Sequence, residues 1–214
     1  MLESMQPPAG GPGLLDGWRL ARLRGFLRRH AGALHTVWFG NNMGSLAGLA
    51  HVDAAVRQLE AFSAVRPVTL TVISNDARLY RAAGRAWRIP SHYLPWSLAT
   101  FATALAAHDV AVIPVERNAY TRGKTINRPA TAIRAGLGVI ADAIESYEPL
   151  RAFIQLDDWQ GGLAHYTATP PRADARLAAA RDFLAESFGN ARIAAQWRAL
   201  LETDACQLTP AMVS

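Results

Sequence analysis

Two short apolar runs, parted by one charged loop and one helical pattern, lie between Asp109 and Asp142, and they restrict the fold of this chain more than any other stretch. Val110 to Val115 is bounded by Asp109 and Glu116, as expected of a strand buried on both faces. Glu116 to Lys124 is polar and carries Arg117, Arg122 and Lys124. Thr125 is placed to cap a helix whose first turn tolerates Pro129, because the earliest N–H groups of a helix have no intrahelical partner. Ala130, Ile133 and Ala135 continue that helix, Gly136 is a natural stop, and Leu137 to Ala141 is a second buried strand.

The same alternation runs through the preceding residues. Leu34 to Gly40 is the first strand, followed by a helix from about Val52 to Ala64. Val68 to Ile73 is the second strand and Ala77 to Trp87 the next helix. Ser91 to Ser97 is a short connection or third strand, and a helix from Leu98 to Ala107 leads back to Val110. This order predicts an α/β fold: a doubly wound, Rossmann-like parallel sheet between two helical layers, with extra C-terminal helices. The prediction is a single domain over residues 14–204, with the helix Leu14 to His30 as its lead-in. Beyond Tyr147 the expected elements are a short helix over Glu148 to Leu156, a last strand at Leu163 to Tyr166, and helices over Arg172 to Phe188 and Ala191 to Leu201. Residues 1–13 are rich in Pro and Gly and are expected to be disordered; residues 205–214 are expected to form a loose tail.

Half of the 214 residues are hydrophobic, enough for a substantial core. The formal charge is +5, almost all of the excess being arginine spread through the helical patterns, which suits anionic ligands better than a nucleic-acid face. The lone Cys206 excludes an intrachain disulfide framework. No apolar run reaches the roughly 18 residues of a membrane span, and no signal-peptide pattern opens the chain, so a cytoplasmic location is expected. In Leu14 to His30 an apolar stripe (Leu20, Leu23, Leu27) is flanked by Arg19, Arg22, Arg24, Arg28 and Arg29. Such a helix either packs by its stripe with solvated arginines or also rests on an anionic membrane surface or a partner.

Chemistry is best located at the loop after Val115. Arg122, Gly123, Lys124 and the Asn127-Arg128 pair surround a helix N-terminus at the carboxyl edge of the sheet, where free N–H groups and the helix dipole favour an anion. A solvated charged loop is the competing reading. Gly40, Gly44 and Gly48, with Asn41, Asn42 and Ser45, form either a tight turn or a phosphate cradle; the segment is neither a Walker loop nor a G-x-G-x-x-G fingerprint. The six histidines show no H-x-x-x-H or H-E-x-x-H spacing, so no metal site is expected. Asp157 and Asp158 are adjacent and would point apart in an extended segment. No G-x-S-x-G elbow occurs.

Taken in order, VWFG with its Gly/Asn loop, VISN, YLPWS, DVAVIPV and RGKTINRPATAIRAGLGVIADAIESY resemble the C-terminal, donor-binding half of GT-B glycosyltransferases, over about Leu34 to Leu201. The most specific part is K-x-x-N-R followed by A-x-x-A-G-x-x-V-I and S-Y. The resemblance implies glycosyl transfer from a nucleoside-diphosphate sugar, which is substrate rather than cofactor, without a metal. It implies that Lys124, helped by Arg122, contacts the donor phosphates, and that Asn127 and Arg128 fix the loop or touch the ligand. Gly40, Asn41 and Asn42 would line the diphosphate pocket, Tyr93 and Trp96 would flank the base, and Tyr147 would stand at the donor rim. Two departures follow. Retaining members carry a pair of glutamates across this loop and helix, where this chain has Gly123 and Thr131, and no catalytic base is identified. About 33 residues precede the first strand, where a whole enzyme would carry its acceptor-binding half, so the chain is either a truncated product, a separately encoded half that works with an acceptor-binding domain or protein, or a binding module. The alternative is a non-catalytic Rossmann-like module that binds a nucleotide or a protein.

Overall fold

A computed structural model of the chain describes residues 13–41 and 48–207. Its centre is a six-stranded, all-parallel sheet of β1 (Leu34–Phe39), β2 (Val68–Ser74), β3 (Ser91–Pro95), β4 (Val110–Ile113), β5 (Gly138–Ala141) and β6 (Gln155–Leu156), in the order β3-β2-β1-β4-β5-β6. β1, β2, β4 and β5 are buried almost throughout, as expected of strands dominated by apolar residues, with Thr36, Thr69, Thr71 and Ser74 buried among them.

Helices cover both faces. One layer holds α1 (Leu14–Arg29), α4 (Leu98–Leu105), α6 (Asn127–Ala135) and α8 (Ala175–Phe188). Leu23, Leu105, Ile133 and Leu184 meet Val37, Ile73, Ile113 and Val139 of the sheet there. The other layer holds α2 (Val52–Ser63), α3 (Ala77–Ala83) and α7 (Trp159–Ala168). Leu59 and Leu163 pack there against Trp38, Leu70, Val112 and Ile140. Side chains alternate across each strand, so neighbouring residues serve opposite layers. A four-residue turn of helix, α5 (Ala119–Arg122), lies in the loop after β4, and α9 (Asn190–Gln207) follows α8.

The strand order reverses between β1 and β4, which pair directly through Thr36 with Val110 and Val37 with Ala111. Asp109 reinforces the junction: its carboxylate accepts from the His35 N–H at 2.9 Å. The α1/α4 layer also covers polar groups. The fully buried His108 donates from Nδ1 to the Ala104 carbonyl at 2.8 Å, which leaves Nε2 to accept from the Thr71 hydroxyl at 2.8 Å. Burial holds the His108 imidazole down at about 4, against the raising effect of its bond to Ala104.

Three local expectations are corrected. Leu163 to Tyr166 is not a strand but the interior of α7, whose start is capped by the Asp158 carboxylate accepting from Gly161 N–H at 2.9 Å. Gly162 lets that helix lie close to Gln155 and Ile140, and the Tyr166 ring occupies the space a Cβ on Gly138 would need. The last strand is instead the two residues Gln155 and Leu156, and the segment before it is a 3-10 turn, Glu145–Leu150. Finally, Thr125 does not cap α6. Asn118 and Thr121 form a capping box around α5 instead, and the chain then enters α6 through Ile126 with no side-chain cap. Gly136 does terminate α6, in the left-handed conformation at φ 90°. α9 runs through Gln207, into the segment expected to be a loose tail.

Candidate functional site

The site lies outside the carboxyl ends of β1 and β4, at the reversal of strand order, where an open α/β sheet leaves a crevice. β1 delivers Phe39, Gly40 and Asn41. β4 delivers the loop that carries Lys124 and leads into α6. Ser74 to Asp76 after β2 and Trp96 after β3 stand on the same edge.

Arg128, in the first turn of α6, reaches across this crevice. Its guanidinium lies 5.7 Å from the centroid of the Trp38 ring, and an ideal Cβ on Gly40 would come within 2.6 Å of Nη2. Residue 40 must therefore be glycine if Arg128 is to lie where it does. Burial pulls the Arg128 pKa down, and the nearby Tyr147 and Tyr120 offset this only in part. Lys124 is partly buried with its ammonium 5.8 Å from the Tyr120 ring centroid, and its pKa is lowered by burial and then by Arg128. Among the described residues no carboxylate lies within ion-pair distance of either cation. Two like charges held together and desolvated without an acid raise the free energy of the empty site; an anion between them would lower it. The uncapped start of α6 adds free N–H groups and the positive end of its dipole.

A cavity of about 330 Å³ adjoins, lined by Phe39, Gly40, Asn41, Asn75, Trp96 and Phe101. Trp96 is 54% exposed and leans on Phe101 at 6.4 Å between centroids, presenting a flat apolar wall. The backbone N–H of Trp96 donates to the Ser74 carbonyl at 2.9 Å.

Gly40, Lys124 and Arg128 are thus brought together, and Asn41 and Trp96 border the same crevice. Asn127 is exposed in the first turn of α6. Tyr147 is fully buried; it raises the Arg128 pKa from beneath rather than lining the opening, and burial raises its own. Two residues go elsewhere. Tyr93 faces the α3 side of the sheet, donates to the Ser74 carbonyl at 2.7 Å and packs against Tyr80 at 5.2 Å. Arg122 is exposed and borders a second cavity, of about 540 Å³, with Arg117, Glu148, Arg151 and Asp157. Asn42 lies outside the described residues.

Sequence reasoning missed the residues that hold the loop. Asp142, at the end of β5, accepts from Val115 N–H and from the Trp159 indole, both at 2.8 Å. Asp157, with φ 59°, accepts from Ala143 N–H and from Arg117, again at 2.8 Å, while Arg117 also donates to the Ala143 carbonyl at 3.0 Å. His51 Nδ1 approaches Glu116 at 3.3 Å and so joins the start of α2 to the end of β4. An acid directly after a buried strand, as at Asp142, is the one signal that could have marked these residues.

No protein-family model matches the sequence, and a search of curated proteins returns no match. Solved structures do resemble the fold. The trehalose-6-phosphate protein from E. coli bound with UDP-2-fluoro glucose superposes with a TM-score of 0.57 at 14% identity, covering 99% of this chain and 51% of that one. S. aureus TarM, as a mutant in complex with fondaparinux, alpha-GlcNAc-glycerol and UDP, gives 0.56 at 11% identity over 78% of this chain and 35% of its own. The C-terminal domain of the glycosyl transferase group 1 family protein LpcC from Francisella tularensis gives 0.51 at 12% identity, over 88% of this chain and 98% of that domain. The chain thus spans about half or less of the first two and nearly all of the third. Its six parallel strands and two helical layers are the fold of the C-terminal half of a GT-B glycosyltransferase.

Proposed function

We propose that this chain binds a nucleoside-diphosphate sugar in the crevice between β1 and β4 and serves as the donor side of a glycosyltransferase. The observation that carries the reading is the Arg128 guanidinium, desolvated against Gly40 and Trp38 beside Lys124, with no acid to pair it among the described residues. Similar folds have been solved with UDP or a UDP-sugar analogue, which supports a diphosphate as the anion. In this reading Arg128, Lys124 and the α6 N-terminus grip the diphosphate, and the base lies toward Trp96. The same positive groups favour departure of the diphosphate, because they meet more negative charge in the transition state than in the intact donor. The acceptor is presented by structure outside this sheet.

Calorimetric titration with UDP, GDP and their sugars tests the reading. Binding to at least one is expected, and Lys124→Ala should weaken it by roughly tenfold, as for one charge-assisted hydrogen bond. No binding by the folded chain, or equal binding by the variant, would remove the proposed site. Gly40→Ala gives a second test from the opposite wall. Its Cβ would lie 2.6 Å from Arg128 Nη2 and 2.9 Å from Trp38 Cζ2. Displacing the guanidinium should weaken nucleotide binding by roughly tenfold or more, with a stability loss of about 1–3 kcal/mol from overpacking. Undiminished affinity would show that Arg128 works from another position.

A further inference from the structure

α1 and α3 flank the edge strand β3, and the three enclose a cavity of about 490 Å³ away from the β1/β4 crevice. Its walls are aromatic and cationic: Trp18, Tyr80 and Tyr93 with Arg19, Arg22 and Arg81. Arg19 is paired with Asp16 at 3.2 Å, whereas Arg22 lies over the Trp18 ring at 4.8 Å and Arg81 spends its Nε on the Ala77 carbonyl at 3.1 Å. The remaining donors of Arg22 and Arg81 have no carboxylate among the described residues.

The charge around this cavity is not that of the whole molecule. Residues 14–30 and 76–88 together carry nine arginines and two aspartates, while the entire chain has a formal charge of only +5. The rest of the chain is therefore net acidic, and the basic excess lies in the two helical segments that flank this cavity. Beside it, at the start of α1, Leu14 is 98% exposed, Leu15 59% and Trp18 55%. Hydrocarbon beside arginine and tryptophan suits the boundary between lipid headgroups and acyl chains: tryptophan settles at that depth, and cations pair with phosphates. A nucleic-acid face would present open aromatic faces for stacking, yet Arg22 covers one face of Trp18. The exposed leucines likewise have no role against a polar nucleic-acid strand.

We infer that the α1–α3 face docks on an anionic phospholipid bilayer, with Leu14, Leu15 and Trp18 entering the interface and Arg22 and Arg81 holding headgroup phosphates at the cavity mouth. The inference is independent of what the β1/β4 crevice binds. Co-sedimentation of the full chain with vesicles tests it, comparing phosphatidylglycerol mixed into phosphatidylcholine with phosphatidylcholine alone. Binding to the anionic vesicles only is expected, with a blue shift of tryptophan fluorescence that Trp18→Ser abolishes. Replacing Arg22 and Arg81 by Ser should lower the partition coefficient roughly fivefold for each arginine. These side chains are exposed, so an unchanged melting midpoint confirms that each variant is folded. Absence of vesicle binding, equal binding to neutral vesicles, or full binding by the arginine variant overturns the inference. So does a chain that binds a short oligoribonucleotide but no vesicle.

Discussion

Arg128→Met is expected to weaken nucleotide binding severely while leaving the protein equally or more resistant to heat. The guanidinium is half-buried beside a second cation and has no acid to pair it among the described residues, so the empty protein bears an uncompensated desolvation cost. Methionine keeps much of the apolar stem and its contact with Trp38 but removes the charge. Loss of a bidentate, charge-assisted contact should raise the Kd for a nucleoside diphosphate by roughly a hundredfold, about 3 kcal/mol. Calorimetry and thermal melting on the same sample separate the two effects. A fall in melting temperature of the size typical for a lost core contact would show that Arg128 is a brace for the β1 end, with binding lost only as a consequence.

Acidification should destabilise the fold well before most carboxylates titrate. His108 is held neutral by burial, at about 4 against an ordinary value of 6.5. Above pH 6.5 neither the folded nor the unfolded chain binds the proton. Between 6.5 and about 4 the unfolded chain binds it and the folded chain does not, so stability present above 6.5 is lost as pH falls through that window. The loss from His108 alone is about 3 kcal/mol. His92 adds to it in the same direction and window. It is lowered to about 4 by burial and then by Arg22 and Arg29, while His35 is lowered by burial against the raising effect of Asp109. Denaturant midpoints measured from pH 7 to pH 4 should fall steadily, and His108→Gln should flatten the slope. A flat profile in the native chain would mean that the imidazole reaches water.

The elements that could be read from the sequence share a physical cause. β1, β2, β4 and β5 are buried on both faces, so apolar residues dominate them, the buried threonines of β1 and β2 being small polar exceptions, and polar residues such as Asp109 and Glu116 bound the run from Val110 to Val115. β6 was not legible because two residues, Gln155 and Leu156, carry no period. Leu163 to Tyr166 imitates a strand because buried Leu163 and Tyr166 bracket only two residues, too short a stretch to show a helical period; the cap at Asp158 and the close approach at Gly162 decide for a helix. At the site, positive charge near a helix start was visible in Lys124 and Arg128. Their separation from Arg122 was not, because the capping box of Asn118 and Thr121 makes Arg122 the last residue of a separate helical turn, α5. Nor was Tyr93 legible as a wall of another cavity, since one step of the pleat decides which layer a side chain faces. The contact between Arg128 and Gly40 joins residues far apart in the chain and appears only when β4 lies beside β1.

That last dependence bears on how the molecule folds. The sheet is wound outward from its middle, and the two strands that border the crevice are joined across 74 residues, at His35 and Asp109. Closing so long a segment is entropically slow compared with pairing β1 to β2. The crevice is then among the last features to mature during refolding, and the recovery of nucleotide binding would time the completion of the sheet.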